Sequence, residues 1–307
     1  MTAQLKSPRK KAPVYVFIDT NIFLDFYRGN NEASLTLLKK LETVKKSVIS
    51  TYQVEMEFKK NRQTVIQETL NGIKFDSKIS LPAVFHDSTT SKSLNKLQDA
   101  AKNKLRIVEK RFLDLLHAPK RTDVVFQTLE DIFHNPSAHV LTRDKKIRHK
   151  IKRLAWRRFI LGYPPRKKND TSVGDALNWE WLIQCGKDFR GKIIIVSRDS
   201  DYGTTIKDCS FLNDHLLQEY KERVGPKRSI LLTNKLSAAL KELDIKVTDK
   251  EIEAEKTQSA ESLPILPGIL NLSNSGTFLE ACIRAHLSKN ISSTKTLVDG
   301  EANLSLQ

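Results

Sequence analysis

Apolar residues enter the chain in short blocks. Residues 14–18 form a run of apolar, β-branched and aromatic side chains, the length and type of a buried strand, and Asp19 ends it at once. Ala33, Leu37, Leu38 and Leu41 then recur at helical spacing over 32–44, 48–50 reads as a second strand, and 52–73 as the helix it feeds. From about Gly72 to Pro165 the pattern turns almost wholly helical, predicting helices near 92–117, 122–134 and 144–161 with loops at 76–91 and 118–121. Alternation then returns: turn-rich 162–174, a helix over 173–187, the β-branched strand 193–196, a helix near 210–223, a strand over 229–232 and a helix near 234–243. Such alternation predicts an α/β fold with a parallel sheet and right-handed crossovers, interrupted by a helical insertion over about 74–165.

The two ends differ from this body. Residues 1–13 form a basic, Lys/Pro-rich leader, and beyond 248 the chain turns rich in Ser, Asn and Thr. Over 250–307 five basic residues face seven acidic ones, so the basic excess lies in the body. Positions 249–307 therefore read as a mostly flexible tail, with an amphipathic helix near 277–287 that docks or binds a partner or inhibitor.

Composition narrows the function classes. At 307 residues and 39% hydrophobic the chain can bury a sizeable core, and its net charge of +16 favours polyanionic partners, nucleic acid first. Three cysteines (Cys185, Cys209, Cys282) without a C-x-x-C pair support neither a disulfide framework nor a thiolate zinc site, and fit a reducing compartment. No apolar run approaches a membrane span and the first run is too short for a signal sequence, so the expectation is a soluble protein of the cytoplasm. Seven histidines show no metal-binding spacing, no G-x-G-x-x-G is present, and the P-loop-like spacing of 186–192 precedes a strand and ends in Ile193, not Ser or Thr.

Carboxylates at predicted strand ends are the candidate chemistry, because ligands of open parallel sheets bind outside the carboxyl ends of the strands. Asp19 follows the first strand, and Asp199 and Asp201 follow 193–196. Behind the second strand Glu57 shares a helical stripe with Val54, Phe58, Asn61 and Val65, whereas Glu55 points further round. Asp175 opens the helix over 173–187. Four carboxylates aimed at one spot repel unless cations lie between them, and hard oxygen donors suit Mg²⁺ or Mn²⁺. Two such ions can activate a water and stabilise the leaving oxygen of a phosphodiester.

The densest basic stretch holds twelve lysines and arginines against Asp144 alone: Arg143, Lys145, Lys146, Arg148, Lys150, Lys152, Arg153, Arg157, Arg158, Arg166, Lys167 and Lys168. It reads as a phosphate track, with Trp156, Phe159 and Tyr163 interleaved to stack bases or anchor the helix. Each feature also has a plainer reading. Asp19 suits a helix N-cap, Ser172 and Asp175 a capping box, Glu57 a pair with Lys60 or Arg62, Asp199 and Asp201 a turn before Gly203, and the basic run a solvated face.

Taken together, Val16-Phe17-Ile18-Asp19-Thr20-Asn21-Ile22-Phe23, then Glu57, Gly174-Asp175-Ala176 and Ser197-Arg198-Asp199-Ser200-Asp201-Tyr202 resemble a PIN domain over roughly 14–245. Glu57-Phe58 with Asn61-Arg62, and Gly162-Tyr163-Pro164-Pro165 ahead of Gly174-Asp175, are similar to PIN-like proteins with a long helical insertion, a group largely of unknown function. The resemblance implies a three-layer α/β sandwich over 14–248 and an Mg²⁺- or Mn²⁺-dependent endoribonuclease of toxin, RNA-processing or antiviral type. On it Asp19, Glu57, Asp175 and Asp199 would bind two ions, with Asp201 an accessory ligand, Asn21 orienting Asp19 and Ser197 holding the last loop. The third strand of the usual five has no clear place between 74 and 170, and Asp170 is a further candidate for the site. A DNA nuclease and a non-catalytic nucleic-acid scaffold are the alternatives.

Overall fold

A computed structural model describes residues 12–73, 84, 88–166 and 172–261. In chain order they form β1 (Val14–Ile18), α1 (Thr20–Arg28), α2 (Glu32–Thr43), β2 (Val48–Thr51), α3 (Tyr52–Gly72), α4 (Thr89–His117), α5 (Pro119–Thr122) and α6 (Val124–Phe133). There follow β3 (Val140–Leu141), α7 (Arg148–Leu161), α8 (Gly174–Asp188), β4 (Lys192–Val196), β5 (Gly203–Ile206), β6 (Cys209–Leu212), α9 (Asp214–Val224), β7 (Ile230–Thr233), α10 (Leu236–Glu242) and α11 (Asp249–Glu261).

Five strands make one parallel sheet in the order β3-β2-β1-β4-β7. β1 and β4 are nearly continuous apolar runs because helices cover both faces of the sheet, burying Phe17, Ile18, Ile195 and Val196 almost completely. On one side α2 packs against α6, α10 and α11; on the other α8 packs against α7 and α9. This is the expected PIN-like α/β sandwich.

The third strand is β3. It has only two residues, Val140 and Leu141, paired with Ser50 and Thr51, and two residues carry no periodicity. The stretch 74–165 is therefore not wholly an addition to the fold: α6 and β3 contact β2, and α7 runs along α8. Helix α7 starts at Arg148 rather than 144 and ends where Gly162, at φ +73°, takes the left-handed conformation that favours glycine. An antiparallel hairpin, β5 with β6, occupies 203–212 and takes the first residues of the helix expected near 210–223, so α9 starts at Asp214; the hairpin's turn uses Lys207 and Asp208, both at positive φ.

The folded unit also extends past 248. Helix α11 docks on α2 and α10 through polar contacts: Glu251 accepts from Thr36 and Lys40, Glu255 from the backbone N–H groups of Leu236 and Ser237, and Gln258 from Ser34 while donating to Asp25 O. The stretch read as tail thus begins with an ordered helix that has no broad apolar stripe to announce it. The leader up to residue 11, the rest of the tail with its helix near 277–287, and Asp170, Lys167 and Lys168 lie outside the described residues.

Candidate active site

Crossovers from β1 run outward through β2 to β3, and the chain then returns to place β4 on the other side of β1. The carboxyl ends of β1 and β4 therefore flank the point where strand order reverses, the place where open α/β sheets bind ligands. Asp19 leaves β1 there, held by its own amide to Val196 O at 2.9 Å.

Asp19 is 4% exposed. It is the N-cap of α1, with Oδ1 accepting from Thr20 N at 2.7 Å, so the capping role considered from sequence is real. Its other oxygen, Oδ2, accepts from Ser197 Oγ at 2.6 Å and from Asn21 Nδ2 at 3.2 Å. Ser197 in turn accepts from the Asp199 amide at 3.1 Å, so one hydroxyl ties the end of β1 to the loop after β4. Arg198, inside that loop, is drawn off to Asp25 on α1.

Glu57 is fixed from two helices: Gln53, one turn earlier on α3, donates to Oε1 at 2.7 Å and Thr20 Oγ1 donates to Oε2 at 3.2 Å. It does not pair with Arg62, which is buried against Asp123 and Tyr27. Gly174 opens α8 so close that a β-carbon there would lie 2.3 Å from Glu57 Oε1, and glycine is what lets Asp175 approach this edge. Ser172 Oγ accepts from Gly174 N, and Val173, the residue before α8, supplies no side-chain cap.

Electrostatics tie the five acids together. The Asp19 carboxyl is pushed up to about 7, first by burial, against the hydrogen bonds from Ser197 and Thr20, with Asp199 and Glu57 adding repulsion. Tyr202 is fully buried, and its phenol is held far above the usual range by that burial and by Asp175, Asp19, Glu57 and Asp201. Its hydroxyl has no hydrogen-bond partner among the described residues. Asp19 and Asp201 are buried, while Glu57, Asp175 and Asp199 are half-buried and open to solvent.

The five do not close into one tight cage. Among the described residues, the three ligand-type side chains whose donor atoms all lie within 4.8 Å of one another are Glu55, Glu130 and His134, on the far side of α3. There the Lys59 ammonium already sits 2.7 Å from Glu55 and 2.6 Å from Glu130, a cation of the chain's own shared between them.

The basic stretch divides. Arg143, Lys146, Lys150, Lys152, Arg153, Arg157 and Arg166 are exposed and Arg148 is half-buried. Lys145 is partly spent, donating to Val140 O at 2.5 Å and Ala138 O at 3.2 Å. Arg158 is not part of any surface track. It lies on the inner stripe with Ile151 and Ala155, is 3% exposed, and pairs with Glu180 at 3.1 Å, Glu219 and Pro164 O. Trp156 and Tyr163 are exposed, and Phe159 is half-buried under Arg166.

Sequence reading did not single out Thr20, Gln53 or Tyr202 for this edge. Gln53 was visible as the residue four before Glu57; the other two depend on the strand order. Among the described residues no helix is long and apolar enough to cross a membrane.

Comparison with curated proteins and with solved structures returned no match. Comparison with family models matched the PIN domain over residues 16–202, from within β1 to the buried Tyr202, which spans more than half of the chain and includes Asp19, Glu57, Asp175, Asp199 and Asp201. PIN domains are generally metal-dependent nucleases that act on nucleic acids, and on a match of this extent the chain belongs to the PIN domain family.

Proposed function

We propose that this chain is a divalent-metal-dependent endonuclease that hydrolyses phosphodiester bonds in single-stranded or structured RNA. The observation that carries the reading is Asp19: a carboxylate 4% exposed at the strand-order reversal, raised to about 7 by burial with added repulsion from Asp199 and Glu57, beside the buried Tyr202 on which Asp175 and Asp201 also bear. That arrangement is costly without a cation between the acids. Carboxylate oxygens beside a buried, unpartnered phenol form a hard donor set, which fits Mg²⁺ or Mn²⁺.

Asp19, Glu57, Asp175 and Asp199 would hold two ions, with Asp201 as accessory ligand. Bound there, divalent ions supply a lowered water pKa and positive charge opposite the phosphate oxygens. The protein's own part is positioning. Ser197 and Asn21 aim Asp19, while Thr20 and Gln53 aim Glu57. The exposed Arg143, Lys146, Lys150, Lys152, Arg153, Arg157 and Arg166, with Arg148, draw in and hold the phosphate backbone. The exposed Trp156 and Tyr163 suit unpaired bases of either sugar, and RNA is proposed as the substrate on the resemblance to PIN endoribonucleases. The free thiols of Cys185 and Cys209 suit the reducing cytoplasm, where toxin, RNA-processing and antiviral nucleases act.

The test is cleavage of end-labelled single-stranded RNA and matched DNA with Mn²⁺, Mg²⁺ or EDTA. Metal-dependent cutting of RNA is expected, falling by at least about 10²–10³-fold in Asp19→Asn. Preferential cutting of DNA would replace the substrate. Salt-sensitive binding with no product under any metal would leave a non-catalytic scaffold.

A further inference from the structure

Beside the acid edge lies a cleft of about 350 Å³ that shares Gln53 with it. One wall is the first turn of α3, Tyr52 and Met56; the other is basic, made by Arg143 and by Arg148 and Lys152, one turn apart on α7. Burial raises the Tyr52 phenol while the Arg148 and Arg143 charges pull against it, so both guanidinia bear on this ring. Among the described residues lining the cleft there is no carboxylate.

The volume suits a small organic group. An aromatic ring and a thioether facing three cations match a nucleobase face on one side and phosphate oxygens on the other. Since Gln53 both lines the cleft and holds Glu57, a base lodged there belongs to a nucleotide next to the phosphate at the acids. A base stacked within a duplex cannot present its face to Tyr52 without being flipped out.

We propose that this cleft is a subsite for one unpaired nucleotide, its base on Tyr52 and Met56 and its phosphates on Arg143, Arg148 and Lys152, which selects single-stranded over paired nucleic acid. The subsite rests on the nuclease reading for its position beside the cut, but it binds without cutting. It is therefore tested by fluorescence anisotropy in EDTA, using the full chain and a labelled RNA about 12 nucleotides long, alone or annealed to its complement. Tyr52→Ala weakens single-strand binding by roughly 5- to 150-fold and leaves duplex binding unchanged, and Tyr52→Phe restores the single-strand affinity. Because Tyr52 is half-buried, Lys152→Ala and Arg143→Ala serve as exposed controls: each lowers the slope of log K against log salt by about 0.7 for the single strand.

A folded Tyr52→Ala that binds single strands like wild type overturns the subsite, as does one that loses single strand and duplex alike, or an unchanged salt slope in both lysine and arginine variants. Parallel cleavage in Mn²⁺ separates the two readings. If wild type cuts and Tyr52→Ala binds normally, only the subsite falls. If nothing is cut while the Tyr52 effect holds, the subsite stands and the nuclease reading falls.

Discussion

Two clusters of charge, one along α8 and one at its N-terminus, follow opposite rules. Against its outer face, Arg158 and Arg223 meet Glu180 and Glu219, two cations for two anions, with Trp179 Nε1 donating to Glu219 at 2.9 Å. Despite the burial that raises it, the Glu219 carboxyl is held below its usual range by Arg158, Arg223 and that indole. At the N-terminus of α8 the acids gather instead: Asp19 and Glu57 make no ion pair among the described residues and take hydrogen bonds only from neutral donors. Burial that is compensated in the first cluster lifts Asp19 to about 7 in the second. The first cluster is charge arranged for the fold. In the second, Asp19 and Glu57 face no cationic side chain among the described residues, which is the opening that the proposed metal ions would fill.

The comparison breaks most visibly at Arg158. Arg158→Ala leaves Glu180 and Glu219 short of a partner inside the protein and should cost about 3–5 kcal/mol, lowering Tm by roughly 10 °C, while the response of Tm to Mn²⁺ survives. Thermal denaturation with and without the metal checks both halves.

An effect of similar size, spread over pH, comes from Asp19. Below about 4 the Asp19 carboxyl is protonated in folded and unfolded chains alike and costs nothing. Between there and about 7 the folded chain keeps a proton that the unfolded chain releases, so this group makes stability fall as pH rises, by at most about 1.4 kcal/mol per pH unit, with no further change above. Comparing Tm across that window in EDTA should show the decline in wild type and its reduction in Asp19→Asn.

Smaller still is Ser197→Ala, which removes the donor that aims Asp19 and frees the Asp199 amide. Activity should drop by about 10–100-fold with little change in Tm in EDTA. A loss of stability comparable to that of Arg158→Ala would place Ser197 with the fold rather than with the site.

These contrasts also mark what could be read from the residues in order. β1 and β4 were legible as dense apolar runs, and Asp19, Asp199 and Asp201 as acids behind them, since both signals are local. Glu57 separated from Glu55 by helical phase: Glu57 meets Thr20 and Gln53, while Glu55 pairs with Lys59. β3 is too short to have a period, and the β5–β6 hairpin turns on Lys207-Asp208 without the glycine or asparagine that usually marks such turns. α11 docks through Glu251, Glu255 and Gln258, contacts that an apolar pattern does not register. Arg158 was misread because charge was counted along the chain rather than around the helix; its spacing from Ile151 and Ala155 already put it inside. Tyr202 gained its place only from strand order, which brings the end of β4 beside Asp19.

The most direct test of the central claim, that the acids at the ends of β1 and β4 await a divalent cation, is the Mn²⁺-dependent gain in Tm near neutral pH, measured for wild type and Asp19→Asn. Wild type should gain about 2.7 kcal/mol at a metal concentration 100 times its Kd, and Asp19→Asn should start at an equal or higher Tm in EDTA and lose most of that gain. An undiminished gain in Asp19→Asn, or none in wild type, would contradict the account.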